Sequence, residues 1–212
     1  MNWILAPRLI VGAASLRRFP DEDTLMLMAS TPARWTAAQV RELPDDGRRY
    51  EVVDGVLLVT PAPSWKHQDA ALHLVTIVQA YVHRNNIGHA VIAPTDVEFA
   101  DDRMVEPDLF VVPLVNGRKP SAWSDVNRLL LAVEILSPSS ARADRHVKRR
   151  LYQEELVPEY WIFDVDARIV ERWRADDARP EILSSRLTWQ PDAGHAALDI
   201  DLEQYFREVF VV

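Results

Sequence analysis

The residues best placed to do chemistry in this sequence are carboxylates at the ends of predicted strands. The segment 129–136 is apolar except for Glu134, a composition typical of a strand buried inside a sheet. An ionised carboxylate there costs on the order of several kcal/mol unless a cation pairs with it. The following Ser-Pro-Ser-Ser segment predicts a turn and the start of a helix. Glu134 is therefore either a metal ligand beside a loop or the partner of a structural arginine.

Two more carboxylates and a histidine are candidates earlier in the chain. Asp108 comes directly before an apolar strand, and Glu51 lies on the first strand of a predicted hairpin. His67 falls in the first turn of a helix predicted over 65–84, where it could be a ligand or a general base. Each residue also has an ordinary interpretation, as a capping aspartate, a solvent-facing glutamate and a surface or core histidine.

A lysine stands on the helix predicted after the Glu134 strand, over residues 141–156. Asp144, Lys148 and Tyr152 recur every four residues, so they share one face of this helix. A salt bridge between Asp144 and Lys148 would account for the pair without any function, and the basic run around them could be a solvated face. With the carboxylates, however, the lysine completes what phosphodiester hydrolysis needs: a metal site and a cation near the nucleophile.

The order of predicted elements indicates how these residues are positioned. A short helix capped by Thr36 is followed by a hairpin, the long helix, several strands, the helix 141–156, more strands and a final helix. This order predicts an α/β or α+β domain over residues 34–212, with a mixed sheet flanked by helices. Residues 1–33 have no regular period, and we expect them to form a poorly ordered N-terminal extension.

The composition excludes several classes of protein. There is no cysteine, so disulfides, thiolate zinc sites and cysteine nucleophiles are excluded, and a metal site of carboxylates and histidine would favour Mg²⁺ or Mn²⁺. There is no glycine-rich phosphate loop, G-x-S-x-G or HExxH motif. No apolar run is long enough for a membrane span, and we expect a cytoplasmic protein. The net charge of −8 counts against a protein that coats nucleic acid by electrostatics alone.

Four segments together resemble the Uma-type restriction-endonuclease family of the PD-(D/E)xK nuclease superfamily. They are RYEVVDGVLLVTPAPSWKHQ, APTDVEF, EPDLFVVP and EILSPSSARADRHVKRRLYQEELVPEYWIFD. The resemblance implies a restriction-endonuclease-like fold, with a central mixed β-sheet and helices on both faces. It assigns Asp108 to the aspartate of the PD motif, Glu134 to the D/E position and Glu51 to the acidic residue supplied by an early element.

One position departs from the superfamily pattern. The lysine usually stands two residues after the D/E residue on the same strand, where this chain has Leu136. Related nucleases move the lysine to a neighbouring helix, and the resemblance implies that Lys148 takes that role. His67 matches a position that is commonly histidine in the family.

The resemblance implies a divalent-metal-dependent endonuclease that acts on nucleic acid, with DNA favoured over RNA, and that often works as a homodimer. Mg²⁺ or Mn²⁺ would be bound by Asp108, Glu134, Glu51 and the Ile135 carbonyl, with Lys148 orienting the nucleophile. The supporting residues would be Tyr152 and His67, with Arg145 and Arg149 contacting phosphate. The alternative is a catalytically inactive nuclease-like fold that binds nucleic acid or protein. Leu136 and the net charge favour this alternative, whereas the presence together of Glu51, Asp108, Glu134 and Lys148 favours the nuclease.

Overall fold

The computed structural model describes residues 34–121, 126 and 128–210, and the predicted extension 1–33 lies outside them. The helices of the described part are α1 (Ala37–Arg41), α2 (Trp65–Arg84), a π-helical turn (Ala143–Lys148) that continues into α3 (Arg149–Glu154), and α4 (Leu202–Phe210). The strands are β1 (Arg49–Val53), β2 (Val56–Thr60), β3 (Gly88–Ile92), β4 (Val97–Ala100), β5 (Arg103–Val105), β6 (Leu109–Pro113), β7 (Leu131–Ile135), β8 (Glu159–Asp164), β9 (Ile169–Arg174), β10 (Glu181–Leu183), β11 (Arg186–Trp189) and β12 (Leu198–Asp201).

The centre of the fold is a six-stranded sheet with the order β10-β9-β8-β7-β6-β3. Its strands β7 and β8 run parallel, and its other neighbouring strands are antiparallel. The predicted mixed sheet is thereby confirmed. A second, antiparallel sheet has the order β2-β1-β5-β4, and β11 pairs with β12.

Strand β7 is buried on both faces because helices cover both sides of the central sheet. Leu131, Val133 and Ile135 belong to the apolar core that also contains buried residues of α2 and α4. Ala132 belongs to the core on the other side, which includes Leu151 and Tyr152 of α3. Side chains alternate along a strand, so Glu134 points to the same side as Ala132, toward α3. The apolar run around Glu134 therefore has a structural cause in two covered faces.

The observed helices agree closely with the prediction where an apolar pattern repeats over many residues or a capping residue marks the helix start. Helix α2 occupies the predicted range 65–84 and begins at Ser64, whose hydroxyl accepts a hydrogen bond from the backbone N–H of His67. Thr36 caps α1 as predicted, with a capping box to Gln39. No helix among the described residues is long and apolar enough to cross a membrane.

Two elements of the fold were predicted less well. Strand β5 was not predicted, because its three residues are stabilised by pairing with the sequence-distant β1 as well as with β4. The predicted helix 141–156 is divided into a π-helical turn and a short α-helix that ends at Glu154. A π-helical turn is set by tertiary packing, and such turns occur frequently at functional sites.

Candidate active site

Three of the predicted site residues meet in a buried ionic cluster. The Nζ atom of Lys148 lies 2.8 Å from Oε1 of Glu51 and 3.0 Å from Oε1 of Glu134. The hydroxyl of Tyr152 donates a hydrogen bond of 3.2 Å to the same oxygen of Glu134. The residues Glu51, Glu134 and Lys148 are 1%, 2% and 2% exposed. The lysine predicted to reach in from the next helix is therefore in contact with the carboxylate of β7.

The π-helical turn places this lysine. Within the turn, the backbone N–H of Arg149 bonds to the carbonyl of Asp144, five residues earlier. The predicted ion pair between Asp144 and Lys148 is present, but both residues are buried and therefore do not belong to a solvated helix face. The Asp144 Oδ1 atom lies 3.6 Å from Lys148 Nζ, beyond hydrogen-bonding distance. The turn therefore directs Lys148 toward Glu51 and Glu134 as well as toward its neighbour four residues away.

Asp108 is held by three polar partners at the start of β6. Its Oδ1 accepts a hydrogen bond of 2.9 Å from Nη1 of Arg49. Its Oδ2 lies 2.9 Å from Nε2 of His67 and accepts a 2.8 Å bond from the backbone N–H of Ile135. Burial alone would raise the pKa of this carboxyl, but the hydrogen bond and charge of His67, with Arg49 and the Ile135 N–H, lower the pKa to about 2. Asp108 is therefore ionised at neutral pH.

Arg49 is the functional residue that the sequence pattern did not identify. It lies two residues before Glu51 on β1, and alternate residues of a strand share a face. Because Glu51 was already a candidate, this spacing of two residues could have identified Arg49 as a neighbour of the site. Arg49 links Asp108 to the second sheet because it is the first residue of β1, and its Nη1 also donates to the Glu106 carbonyl at 3.1 Å. Glu51, on the same strand β1, accepts with its Oε1 a hydrogen bond of 2.8 Å from the Glu106 N–H.

The cluster around Lys148 places three carboxyl groups, those of Glu51, Glu134 and Asp144, against one ammonium group. Burial raises the pKa of Glu134 well above its usual value, and the neighbouring carboxylates of Asp144, Asp108 and Glu51 add to this while Lys148 opposes it. Burial would lower the pKa of Lys148, but Glu134, Glu51 and Asp144 raise it well above the usual lysine value. Lys148 is therefore a fixed positive charge surrounded by carboxyl groups.

Tyr152 stays protonated for a related reason. Burial, and then the charges of Glu134 and Glu51, raise the pKa of its phenol well above the usual tyrosine value. The phenol is thus a hydrogen-bond donor to Glu134 at any physiological pH, and it restricts the orientation of that carboxyl group.

A cavity of about 210 Å³ opens beside these residues. Asp108, Glu134 and Lys148 line it, together with His67 and Arg49. The loop after β7 closes another side with the hydroxyl residues Ser137, Ser139 and Ser140. The cavity therefore brings the PD-type aspartate, the strand glutamate and the helix lysine to one space.

Arg145 and Arg149, expected to contact phosphate, are directed elsewhere. Arg145 donates from Nε to Glu171 Oε1 at 2.6 Å and from Nη2 to Asp164 Oδ2 at 3.0 Å. Arg149 bonds to Gln153 Oε1 at 2.7 Å, and its guanidinium lies 5.0 Å from the ring centre of Trp173. Neither arginine lines the 210 Å³ cavity. Their contact with phosphate stays a prediction, and the ion pairs give Arg145 a structural role.

Replacing Arg145 with alanine should test these roles. We expect the free energy of unfolding to fall by about 1–2 kcal/mol, because Asp164 and Glu171 lose a charged hydrogen-bond partner. Urea denaturation measures this loss, and Arg150→Ala, an exposed arginine five residues later, is the matched control. DNA affinity measured across a series of salt concentrations should keep its slope; a slope reduced by about 1 would show that Arg145 contacts phosphate.

Comparison with known proteins places the chain in a family. Residues 37–203 match the sequence model of the Uma2 family, which is described as "Putative restriction endonuclease". No curated protein matches the chain. A solved structure from Anabaena variabilis, described as a putative nuclease of DUF820, has a TM-score of 0.66 and 20% identity, and the match covers 82% of this chain and 99% of that one. This likeness supports the restriction-endonuclease-like fold. Because the family match spans most of the described residues, the chain belongs to the Uma2 family of putative restriction endonucleases.

Proposed function

We propose that this protein is a divalent-metal-dependent endonuclease that hydrolyses phosphodiester bonds in nucleic acid, with DNA as its substrate. The observation that carries the proposal is the 3.0 Å contact between Lys148 Nζ and Glu134. The usual lysine position of the superfamily is occupied by Leu136, directly after β7, and the ammonium group of Lys148 reaches Glu134 from the next helix instead. Membership in the Uma2 family supports nuclease activity in general.

The donor set fits Mg²⁺ or Mn²⁺. No group of three or more histidine, aspartate or glutamate side chains in the described ranges is arranged to hold a metal ion by itself. An ion would therefore depend on Asp108, Glu134, the Ile135 carbonyl and water, and Mg²⁺ usually keeps several waters. Glu51 would complete the site through water, since its Oε1 is already bonded to Lys148 and to the Glu106 N–H.

The charge of the buried cluster supports the same assignment. Arg49, Lys148 and the His67 ring face a larger number of buried carboxyl groups. The buried carboxylates are Glu51, Asp108, Glu134 and Asp144. Burial and the crowding of these groups raise the pKa of Glu134, and a divalent cation held by Asp108 and Glu134 would stabilise the ionised carboxylates. When bound, such an ion lowers the pKa of a coordinated water and neutralises charge on the phosphate.

The chain's own residues then have separate roles. An ammonium group has three N–H donors, and Glu51 and Glu134 account for two of those of Lys148. We assign the third to the attacking water or a phosphate oxygen, since Lys148 lines the cavity. Tyr152 and His67 hold the carboxyl groups of Glu134 and Asp108 in orientation through the hydrogen bonds described above.

Cleavage assays on defined substrates test the proposal. Supercoiled plasmid, duplex and single-stranded oligonucleotides and RNA are incubated with the wild-type protein and Mg²⁺ or Mn²⁺, with EDTA as the metal-free control. We expect cleavage of DNA only when the metal is present. Absence of cleavage on every substrate, together with absence of metal binding by calorimetry, would contradict the proposed activity.

One observation favours the alternative of an inactive, binding fold. Lys148 already pairs with Glu51 and Glu134, as a residue that replaces a metal ion would do. Under that alternative, Mg²⁺ should not raise the melting temperature of the wild-type protein, whereas a metal-binding site predicts a rise that grows with metal concentration. Thermal melts over a Mg²⁺ series therefore separate the two functions without an assay of activity.

A homodimer is part of the proposed function, because two sites are needed to cut both strands of a duplex in one encounter. Sedimentation equilibrium measures the mass directly, against 24.2 kDa for one chain. A monomer at all concentrations would contradict the dimer and leave single-strand nicking as the expected activity. A cytoplasmic location, where nucleic acid is accessible, is proposed on the same basis.

A further inference from the structure

An unusually exposed tryptophan stands next to the candidate active site. Trp65 is 88% exposed, the largest fraction among the exposed large apolar side chains of the described residues. It is the first residue of α2 and directly follows Ser64, which lines the 210 Å³ cavity. His67, which contacts Asp108, lies two residues further, or about 3 Å along the helix axis. Nothing in the core explains this position, since the indole contributes almost no buried surface.

A groove larger than the active-site cavity lies beside it. Its volume is about 600 Å³, within the range of small-ligand pockets. It shares with the cavity the side chains of Arg49, His67 and Asp108 and the segment 61–63. Groove and cavity are therefore adjacent, and a polymer lying in the groove would lie against Asp108.

The wall of this groove is largely apolar. Leu72, Val75 and Ile92 contribute to it, and Leu72 and Ile92 remain 62% and 48% exposed. Trp65 precedes Leu72 by seven residues, which places both near one line along the surface of α2. Trp65 lines neither the groove nor the cavity, but it lies between them in position, seven residues before Leu72 of the groove and directly after Ser64 of the cavity.

The charges of the groove are mostly paired within the protein. Arg48 binds Asp46, and Arg49 binds Asp108 and lies 3.7 Å from Glu106. The whole chain carries a charge of −8. Long-range attraction for phosphates is therefore weak, and a nucleic acid bound here must gain affinity from apolar and aromatic contacts. In a nucleic acid, the group that can stack on an aromatic side chain close to a phosphate is the nucleobase.

We propose that the groove binds a single-stranded segment of the nucleic acid and that Trp65 stacks on an unpaired base beside the phosphate to be cleaved. The proposal rests on the proposed function and narrows its substrate class. A side chain can stack on a base only where that base is unstacked from its neighbour, as in a single strand, a frayed end or a flipped nucleotide. A fully paired duplex offers no such face along its length.

Binding measurements without divalent metal test this proposal. Full-length protein in EDTA is titrated into a labelled oligo(dT) strand and, separately, into a blunt duplex of equal length. We expect wild type to bind the single strand more tightly than the duplex. Trp65→Ala should weaken single-strand binding by roughly fivefold to a hundredfold, the range that corresponds to the stacking of one base. Trp65→Phe should retain most of the affinity, because an aromatic face remains.

Leu156→Ala is the matched control, since Leu156 is an apolar side chain exposed to 76% after α3. It should bind both oligonucleotides as wild type does. Tryptophan emission gives a second readout: oligo(dT) should quench the part of the emission that is missing in Trp65→Phe. Equal single-strand affinities of wild type and Trp65→Ala, a preference of wild type for the duplex, or quenching that is the same in Trp65→Phe would each overturn the proposal.

Failure of this proposal is distinguishable from failure of the proposed function. Metal-dependent cleavage by wild type with unchanged binding by Trp65→Ala would overturn the stacking role and leave the nuclease activity in place. Binding that depends on Trp65, without cleavage by wild type under any metal, would support the base-binding groove and contradict the hydrolysis.

Discussion

Replacing Asp108 with asparagine should lower the rate of DNA cleavage by roughly a thousandfold or more. Loss of a ligand removes several kcal/mol of metal-based stabilisation of the transition state, and each 1.4 kcal/mol is about a tenfold change in rate. The carboxylate accepts bonds from Arg49 and the Ile135 N–H and lies 2.9 Å from His67 Nε2. Asparagine keeps the shape but loses the charge, and its NH₂ group must face either Arg49 or the Ile135 N–H, so some stability is lost as well. Single-turnover cleavage of the labelled DNA substrate that wild type cleaves fastest, with Mg²⁺, measures the change.

Asp176→Asn is the matched control for this substitution. Asp176 is exposed in the loop between β9 and β10, and we expect its variant to cleave as wild type does. Thermal melting of both variants separates a loss of activity from a loss of fold. Cleavage by Asp108→Asn at the wild-type rate would show that Asp108 is not a metal ligand in the reaction, or that a contaminating nuclease accounts for the activity.

Replacing Lys148 with methionine should abolish cleavage and also destabilise the fold by about 3–5 kcal/mol. The side chain is 2% exposed, and removing it leaves Glu51 and Glu134 as buried carboxylates without their cation. Methionine is similar in length and flexible, so the loss comes chiefly from the charge. Urea denaturation measures the change in free energy of unfolding, and cleavage is measured on the same preparation below its unfolding midpoint.

A double variant separates the two effects of Lys148. In Lys148→Met with Glu134→Gln, one of the unpaired carboxylates is neutral, so a large part of the lost stability should return. Cleavage should not return, because the proposed ligand and the proposed orienting cation are both absent. If Lys148→Met alone still cleaves at the wild-type rate, the lysine is structural and its proposed chemical role is wrong.

Much of the fold follows from local patterns in the sequence. The long helix over 65–84 has an apolar stripe and a serine cap, and its bounds were predicted as observed. The Glu134 strand and the strand 159–164 are apolar runs whose bounds are set by turn signals on either side. Strand β5 was not predicted, because three residues carry too little periodicity without their pairing partners.

The candidate site was predicted in its residues but not in its contacts. The residue types and the resemblance identified Glu51, Asp108, Glu134 and Lys148 as a set, and the structure brings them to one cavity or to its border. Arg49 was not identified, because its partner Asp108 is 59 residues away and a lone arginine at a strand start has many ordinary interpretations. Arg145 was identified as a candidate, but its contacts were not predicted. The basic residues next to it in the sequence gave no indication of its two acidic partners on β8 and β9.

By itself the sequence determined which side chains exist, which strand is buried and which helix carries the lysine, because these depend on composition and on periods of two or 3.6 residues. Only the tertiary structure decided that the lysine meets Glu51 and Glu134. That meeting depends on the π-helical turn and on the second sheet, whose strand β1 comes from far earlier in the chain. Such contacts are set by the packing of distant elements, which no local pattern encodes. The same packing left Trp65 exposed next to Ser64, which lines the cavity, and we expect Trp65 to contact the substrate from there.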